Sequence, residues 1–276
     1  MVRQALCIGI NDYPGTASDL AGCVNDANDW AAELQQRGFL VHTLLDDQAT
    51  KAAMVQAIRE RLQAAAPGDL VVITFSGHGT IAPDRDGDEA DGFDEALCPF
   101  DIGRGGEVLI DDDIRTLFAS RGPGVRLVLI SDSCHSGTLL RQPASPAANL
   151  PRPRFLPMGA WLPEVALPRG GDRQPLFSLP ISATRSPWTG AVTGAGDLLM
   201  AGCEEGPERF SYDGRFAGRA NGAFSHYALR TLRRLPADAT YAQWYAAIRR
   251  YLPAASYTQT PQLMGSQEVL ASPVLQ

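Results

Sequence analysis

An α/β fold with a mostly parallel central sheet is what the sequence predicts, on three observations. Short, continuously apolar runs recur along the chain, amphipathic helical patterns lie between them, and Gly, Pro or Thr punctuates each change. The strand-like runs are Ala5 to Ile10, Phe39 to Leu44, Leu70 to Phe75, Val125 to Ser131 and Leu198 to Cys203. Most are apolar at both odd and even positions, as expected of strands buried on both faces of a sheet. Leu20, Cys23, Val24, Ala27, Trp30, Ala31 and Leu34 mark one helix face, closed by Gly38. Met54, Ile58 and Leu62 mark a second helix, capped by Thr50 and stopped at Pro67-Gly68. Asp111 to Asp113 open a further helix at Ile114, where their charge complements its dipole. Trp244, Ile248 and Leu252 mark another, capped by Thr240.

Composition narrows the function classes. Hydrophobic residues are 45% and charged residues 20% of 276, which excludes disorder and collagen-like repeats. No apolar run reaches the ~20 residues of a membrane span, and Met1 to Ile10 is too short for a secretory segment, so a soluble cytoplasmic protein with no membrane partner is expected. The net charge of −7 speaks against nucleic acid as a partner, although the basic side is 23 Arg to one Lys, Lys51. Cys7, Cys23, Cys98, Cys134 and Cys203 are odd in number and form no CxxC pair, which favours a reactive thiol over a disulfide framework or a zinc site.

One large unit is expected, of a large α/β section at residues 1–140, a connector at 141–190 and a smaller section at 191–276 that adds to the same sheet. From Arg141 to about Trp188 the chain turns to Pro, Arg, Ser and Gly without periodicity, which reads as a functional loop or a cleavable linker.

Two strand ends carry the chemistry. Val71 to Phe75 runs into Ser76-Gly77-His78-Gly79, and Leu127 to Ser131 runs into Asp132-Ser133-Cys134-His135-Ser136-Gly137. Ligands gather beyond the carboxyl ends of parallel strands, which brings His78 and Cys134 to one edge. A free thiol is only a few per cent thiolate at neutral pH, and an imidazole beside it raises that fraction. His78 is then the proton carrier for Cys134, and the amides of Gly79 and Cys134 are candidate donors to an oxyanion. Taken singly, such a Cys is more often a small buried hydrophobe and such a His a satisfied polar residue; the shared strand-end setting raises both. His135 is a lesser rival base, because adjacent side chains diverge.

At these residues the chain resembles the caspase-like cysteine peptidases of the metacaspase type. The resemblance rests on Ser76-Gly-His78-Gly79 and Asp132-Ser-Cys134-His-Ser-Gly137, on Leu20 to Ala27, on Gly87 to Glu95, and on Leu198 to Glu205 with Asn221 to Ser225. His78 precedes Cys134 by a distance close to the ≈ 50 residues of caspases, although the caspase Gln-Ala-Cys signature is absent. The resemblance implies a caspase-hemoglobinase-like sandwich and a thiol endopeptidase.

Asp132 stands two residues before Cys134, and Ser76 two before His78, so each pair faces one side of the sheet. A carboxylate beside the nucleophile calls for a cationic partner. The resemblance implies a primary specificity pocket at Cys23, Asp26, Ser76 and Asp132 that accepts Arg or Lys, and hence protein or peptide substrates; a monomer is expected. Taken alone, Asp26 reads equally as a helix-surface acid and Asp132 as a turn acid.

A second cluster is acidic. Asp84, Asp86, Asp88 and Glu95 half fit a calcium loop, but its Gly position is Glu89 and the flanks are not helical, which excludes an EF-hand. The resemblance implies a calcium site at Asp94, Asp111 and Asp112, with a fourth carboxylate where this chain has Arg141. A cation there opposes the ion, and a helix opened by Asp111 to Asp113 needs no metal.

The connector offers Arg141, Arg152, Arg154, Arg169, Arg173 and Arg185 for self-cleavage. The pair Arg152-Pro-Arg154 reads as hindered by prolines on the leaving side, which favours Arg169 and Arg185. A G-x-S-x-G elbow and a Walker A loop are absent, and Cys134 to Arg141 is one residue too long for a phosphatase loop. The remaining alternative is an inactive caspase-like scaffold.

Overall fold

The computed structural model describes residues 1–85, 87, 92–134, 151–162, 196–204 and 210–276. Its centre is a six-stranded sheet in the order β12-β9-β7-β3-β1-β2. These strands are β1 (Arg3–Gly9), β2 (Leu40–Leu45), β3 (Leu70–Ser76), β7 (Arg126–Asp132), β9 (Leu198–Ala201) and β12 (Gln262–Gly265). All neighbours are parallel except β12, which lies antiparallel on β9.

The continuous apolar runs have a direct cause in the layering. Leu6 and Ile8 of β1, Val71 and Ile73 of β3, and Leu127 and Leu129 of β7 enter one core. Ala5 and Cys7, Leu70 and Val72, and Val128 and Ile130 enter the other. Helices α2 (Lys51–Ala64) and α3 (Asp111–Ala119) cover the first face. Helices α1 (Cys23–Gln36), α4 (Ala223–Leu232) and α5 (Tyr241–Ile248) cover the second. Thr50 caps α2 by accepting from the Ala53 N–H, and Thr240 forms a capping box with Gln243. The sheet edge departs from the two-faced pattern: β2 is an outer strand, and its Leu40 is 69% exposed.

Two small antiparallel sheets were not apparent in the apolar pattern. One joins β4 (Gly79–Pro83), β5 (Phe93–Leu97) and β6 (Leu109–Ile110). The other joins β8 (Arg152–Pro153), β10 (Tyr212–Phe216) and β11 (Arg219–Gly222). Their strands are short and carry polar residues, which masks the alternation. Strand β8 comes from the stretch read as an unstructured connector, so residues 151–162 are a docked segment.

Candidate active site

Strands β1, β3 and β7 end in register, with Gly9 beside Ser76 and Ser76 beside Asp132. Two residues further on lie His78 and Cys134, both buried. The His78 Nε2 lies 2.6 Å from the Ser18 carbonyl oxygen. A carbonyl only accepts, so this nitrogen carries the proton and leaves the basic lone pair on Nδ1. Nδ1 is buried without a well-formed hydrogen bond among the described residues, and the Arg154 backbone, like Ser18, acts on the ring in favour of its charged form. Burial pushes the imidazole down to about 4, against partial compensation from the Ser18 bond, so it is neutral at physiological pH.

Tyr13 positions this histidine. Its hydroxyl accepts the His78 backbone N–H at 2.7 Å, and its ring lies 4.7 Å from the imidazole, centroid to centroid. The sequence reading passed over Tyr13 and Ser18, because nothing in a turn after β1 announces contact with a residue 60 positions later.

Asp26 and Asp132, both expected at an acidic pocket, converge on one buried side chain, that of Arg154. The side chain of Arg154, with no solvent exposure, reaches Asp26 at 2.7 Å, Asp213 at 3.0 Å and Asp132 at 3.1 Å. Its Nη1 also donates to the Asp132 carbonyl at 3.0 Å. Burial disfavours this charge, but the carboxylates, Asp132 foremost, outweigh it and hold the guanidinium above its ordinary value. Burial likewise raises Asp26 to about 7, with Arg154 the largest influence in the opposite direction.

Three carboxylates share one cavity because two helix N-termini face them. The Ala21 and Gly22 N–H groups, just before α1, donate to Asp213. The Gly222 N–H, which caps α4, donates to Asp26, and Ser225 N–H in the first turn of α4 donates to Asp132. The positive ends of both helix dipoles thus add to the hydrogen bonds. Asn221 Nδ2 donates to Asp26 at 2.8 Å, and the Ser211 hydroxyl donates to Asp132. Cys23 and Ser76 are buried, and Cys23 lies close enough to Arg154, Asp213, Asp26 and Asp132 to feel their charges. Burial holds the Cys23 thiol well above its ordinary value, so it is neutral.

Asp213 was missed by sequence reading. It lies in a polar strand 81 residues after Asp132, and only the pairing of β10 with β8 brings it to Arg154. Arg154 had a signal that was misread: Arg152 is followed by proline, but Arg154 is followed by Phe155 and Leu156, an apolar pair in a polar stretch. Proline therefore hinders only the bond after Arg152, which corrects the reading of the pair.

The Arg154 backbone completes the arrangement. Its carbonyl oxygen accepts from the Gly79 N–H at 3.0 Å and the Cys134 N–H at 3.2 Å, the two amides expected to face an oxyanion. Its N–H donates to the Ser211 carbonyl at 2.8 Å, and β8 pairs antiparallel with β10, so the segment is held as an added strand.

The other candidate residues lie elsewhere. Asp94 on β5 and Asp111 at the start of α3 are buried, and Asp112 pairs with Arg115 one turn on. Lys51 pairs with Glu107 and Asp113. Among the described residues no group of three or more His, Cys, Asp or Glu side chains converges to hold a metal. Asp86, Asp88, Glu89, Asp91, His135, Arg141, Arg169, Arg173 and Arg185 lie outside the described residues.

A parallel-centred sandwich with a thiol and an imidazole at adjoining strand ends defines a caspase-like peptidase fold. Comparison with known proteins gives the same class. Residues 3–143 match the metacaspase, peptidase C14 domain. The chain is 34% identical to Metacaspase-1 of Mycosarcoma maydis over 97% of its length and 71% of that protein. It is 33% identical to Metacaspase-1A of Aspergillus niger over 98% of its length and 71% of that protein. A crystal structure of a Geobacter sulfurreducens protein superposes with a TM-score of 0.72 at 29% identity, covering 100% of this chain and 98% of the other. Caspase-1 of Spodoptera frugiperda superposes with a TM-score of 0.56 at 13% identity, covering 95% of this chain and 86% of the other, which is a likeness of fold. The chain belongs to the metacaspase family and is a cysteine-type peptidase.

Proposed function

We propose that this chain is an endopeptidase that cleaves after Arg, and less readily after Lys, through Cys134 and His78, and that it processes itself at the Arg154–Phe155 bond. The observation that carries the proposal is the lodging of Arg154, side chain among Asp26, Asp132 and Asp213, carbonyl on the Gly79 and Cys134 amides. A basic residue held at both ends in this way presents its peptide bond at the thiol.

In the proposed mechanism His78 Nδ1 takes the Cys134 proton and the thiolate attacks the carbonyl carbon after the basic residue. The Gly79 and Cys134 amides hold the oxyanion. The proton now on Nδ1 passes to the departing amine, and water then releases the acyl-enzyme with His78 as base. Ser18 and Tyr13 keep the imidazole in the required tautomer and place. Arg is favoured over Lys because two guanidinium nitrogens divide three carboxylates between them, a span that one ammonium does not match. The described residues assemble no three-carboxylate site at Asp94, Asp111 and Asp112, and no step passes through calcium. Location in the cytoplasm and action as a monomer remain part of the proposal.

The test is hydrolysis of fluorogenic peptides ending in Arg, Lys or Asp, with intact-mass analysis of the chain itself. Arg should lead, Lys should follow, Asp should be inert, and Cys134→Ala should lose about three or more orders of magnitude. Mass analysis should show a new C-terminus at Arg154 in the wild type only. Equal signals from wild type and Cys134→Ala would instead favour a scaffold role.

A further inference from the structure

The segment beyond Arg154 is bound as closely as Arg154 itself. Phe155 is 4% exposed and packs with Cys134 and Cys203, with Ile81 and Phe210 alongside. Leu156 is fully buried and belongs to the core on the α2 and α3 side of the sheet. Gly79 grips the backbone on both sides of the 154–155 bond: its N–H meets the Arg154 carbonyl at 3.0 Å and its carbonyl accepts the Leu156 N–H at 2.8 Å. This bridge fixes the register, so a chain with its carbonyl on the two amides must place its next residue against Cys203 and its second against the core. Further on, the Trp161 Nε1–H donates to Thr80 Oγ1 at 3.2 Å.

The chemistry of the first seat is apolar. Ile81 and Phe210 contribute hydrocarbon, and a neutral thiol behaves as a small hydrophobe. Cys203 is such a thiol, kept protonated by its hydrogen bond with Cys134 and by burial, and Asp132 and then Glu95 add negative potential there. A carboxylate entering this seat loses its water and meets like charge, whereas an aromatic ring gains buried area.

We propose that the enzyme also selects the two residues that follow the cleaved bond, taking an aromatic or large aliphatic residue and then a large aliphatic one. Ile81, Cys203 and Phe210 line the first seat, and Phe155 and Leu156 are the chain's own occupants. The proposal rests on the endopeptidase reading above and adds a second determinant to it.

Internally quenched peptides of the form Pro-Arg-X-Leu, with X as Phe, Ala or Asp, test it on full-length protein incubated until self-processing is complete by mass. A parallel set replaces the Arg by Asp. We expect kcat/KM for Phe to exceed that for Asp by at least about tenfold, with Ala between, and the Phe-to-Asp ratio to shrink at least about threefold in Ile81→Asp. Equal rates for all X, with Arg still preferred over Asp before the bond, would overturn this proposal and leave the endopeptidase reading standing. Loss of the Arg preference would overturn that reading instead, and hydrolysis of no peptide would overturn both.

Discussion

The guanidinium of Arg154 and the carboxylate of Asp26 meet at 2.7 Å with neither side chain exposed to solvent. A buried ion pair is costly unless every charge is hydrogen-bonded, and here the bonding is extensive. Asp26 accepts from Asn221, Gly222 and Arg154, while Arg154 also engages Asp132 and Asp213. The same contacts serve two ends. They close the interior of the chain, and under the proposed function they define the cation that a separate substrate brings in its place.

Removing that cation strands three carboxylates. Breaking a buried pair in this way costs about 3–5 kcal/mol, so Arg154→Gln should show a large fall in Tm by calorimetry and no cut after residue 154. A small guanidinium compound such as agmatine should restore part of the lost Tm in the variant by occupying the vacated pocket, and should leave the uncut wild type unmoved. Rescue of neither protein would mean that the carboxylates do not form a guanidinium site once Arg154 is gone.

The three-layer fold was legible because β1, β3 and β7 bury both faces and therefore read as unbroken apolar runs. His78 and Cys134 were legible for a related reason, since each follows such a run and sits beside Gly in the turn. Of the three carboxylates around Arg154, Asp132 was signalled by its place two residues before Cys134 and Asp26 by the family resemblance alone. The rest was not: Asp213 and Ser211 owe their place to β10, a strand with no hydrophobic alternation whose position depends on pairing with two other short strands. Arg154 was hidden by its company. Prolines and arginines around it suggested solvent-exposed linker, while the energy of docking comes from Phe155, Leu156 and Met158, all buried.

Gly222 tests the pocket from its backbone side. A Cβ there would collide with the Asp132 carboxylate and with the Arg154 guanidinium. Its own N–H donates to Asp26 at 3.0 Å, so it is both a close approach and a donor. Gly222→Ala should therefore raise KM for Arg peptides at least about tenfold and slow self-cleavage, with a smaller effect on Tm than Arg154→Gln. Asp213→Asn keeps the shape but removes a charge, and should weaken Arg over neutral residues without abolishing hydrolysis. Unchanged kcat/KM for Arg in both variants would remove Gly222 and Asp213 from the specificity site.

Stability against pH separates the two titrating groups at the centre. His78 is held at about 4, against an ordinary value of 6.5, by burial. Between those values the unfolded chain binds a proton that the folded chain refuses, so the native imidazole favours folding more as pH rises, up to about 3 kcal/mol in all. Asp26 has the opposite sign. Burial lifts it from 3.8 to about 7, so the folded chain holds the extra proton across that interval and its stabilising share is lost as pH rises. Compared with wild type in calorimetry from pH 4 to 7, His78→Gln should lose ground with rising pH and Asp26→Asn should gain it. Parallel Tm curves for wild type and His78→Gln would show that the imidazole titrates alike in both states, and would remove the buried neutral base on which the proposed proton transfer depends.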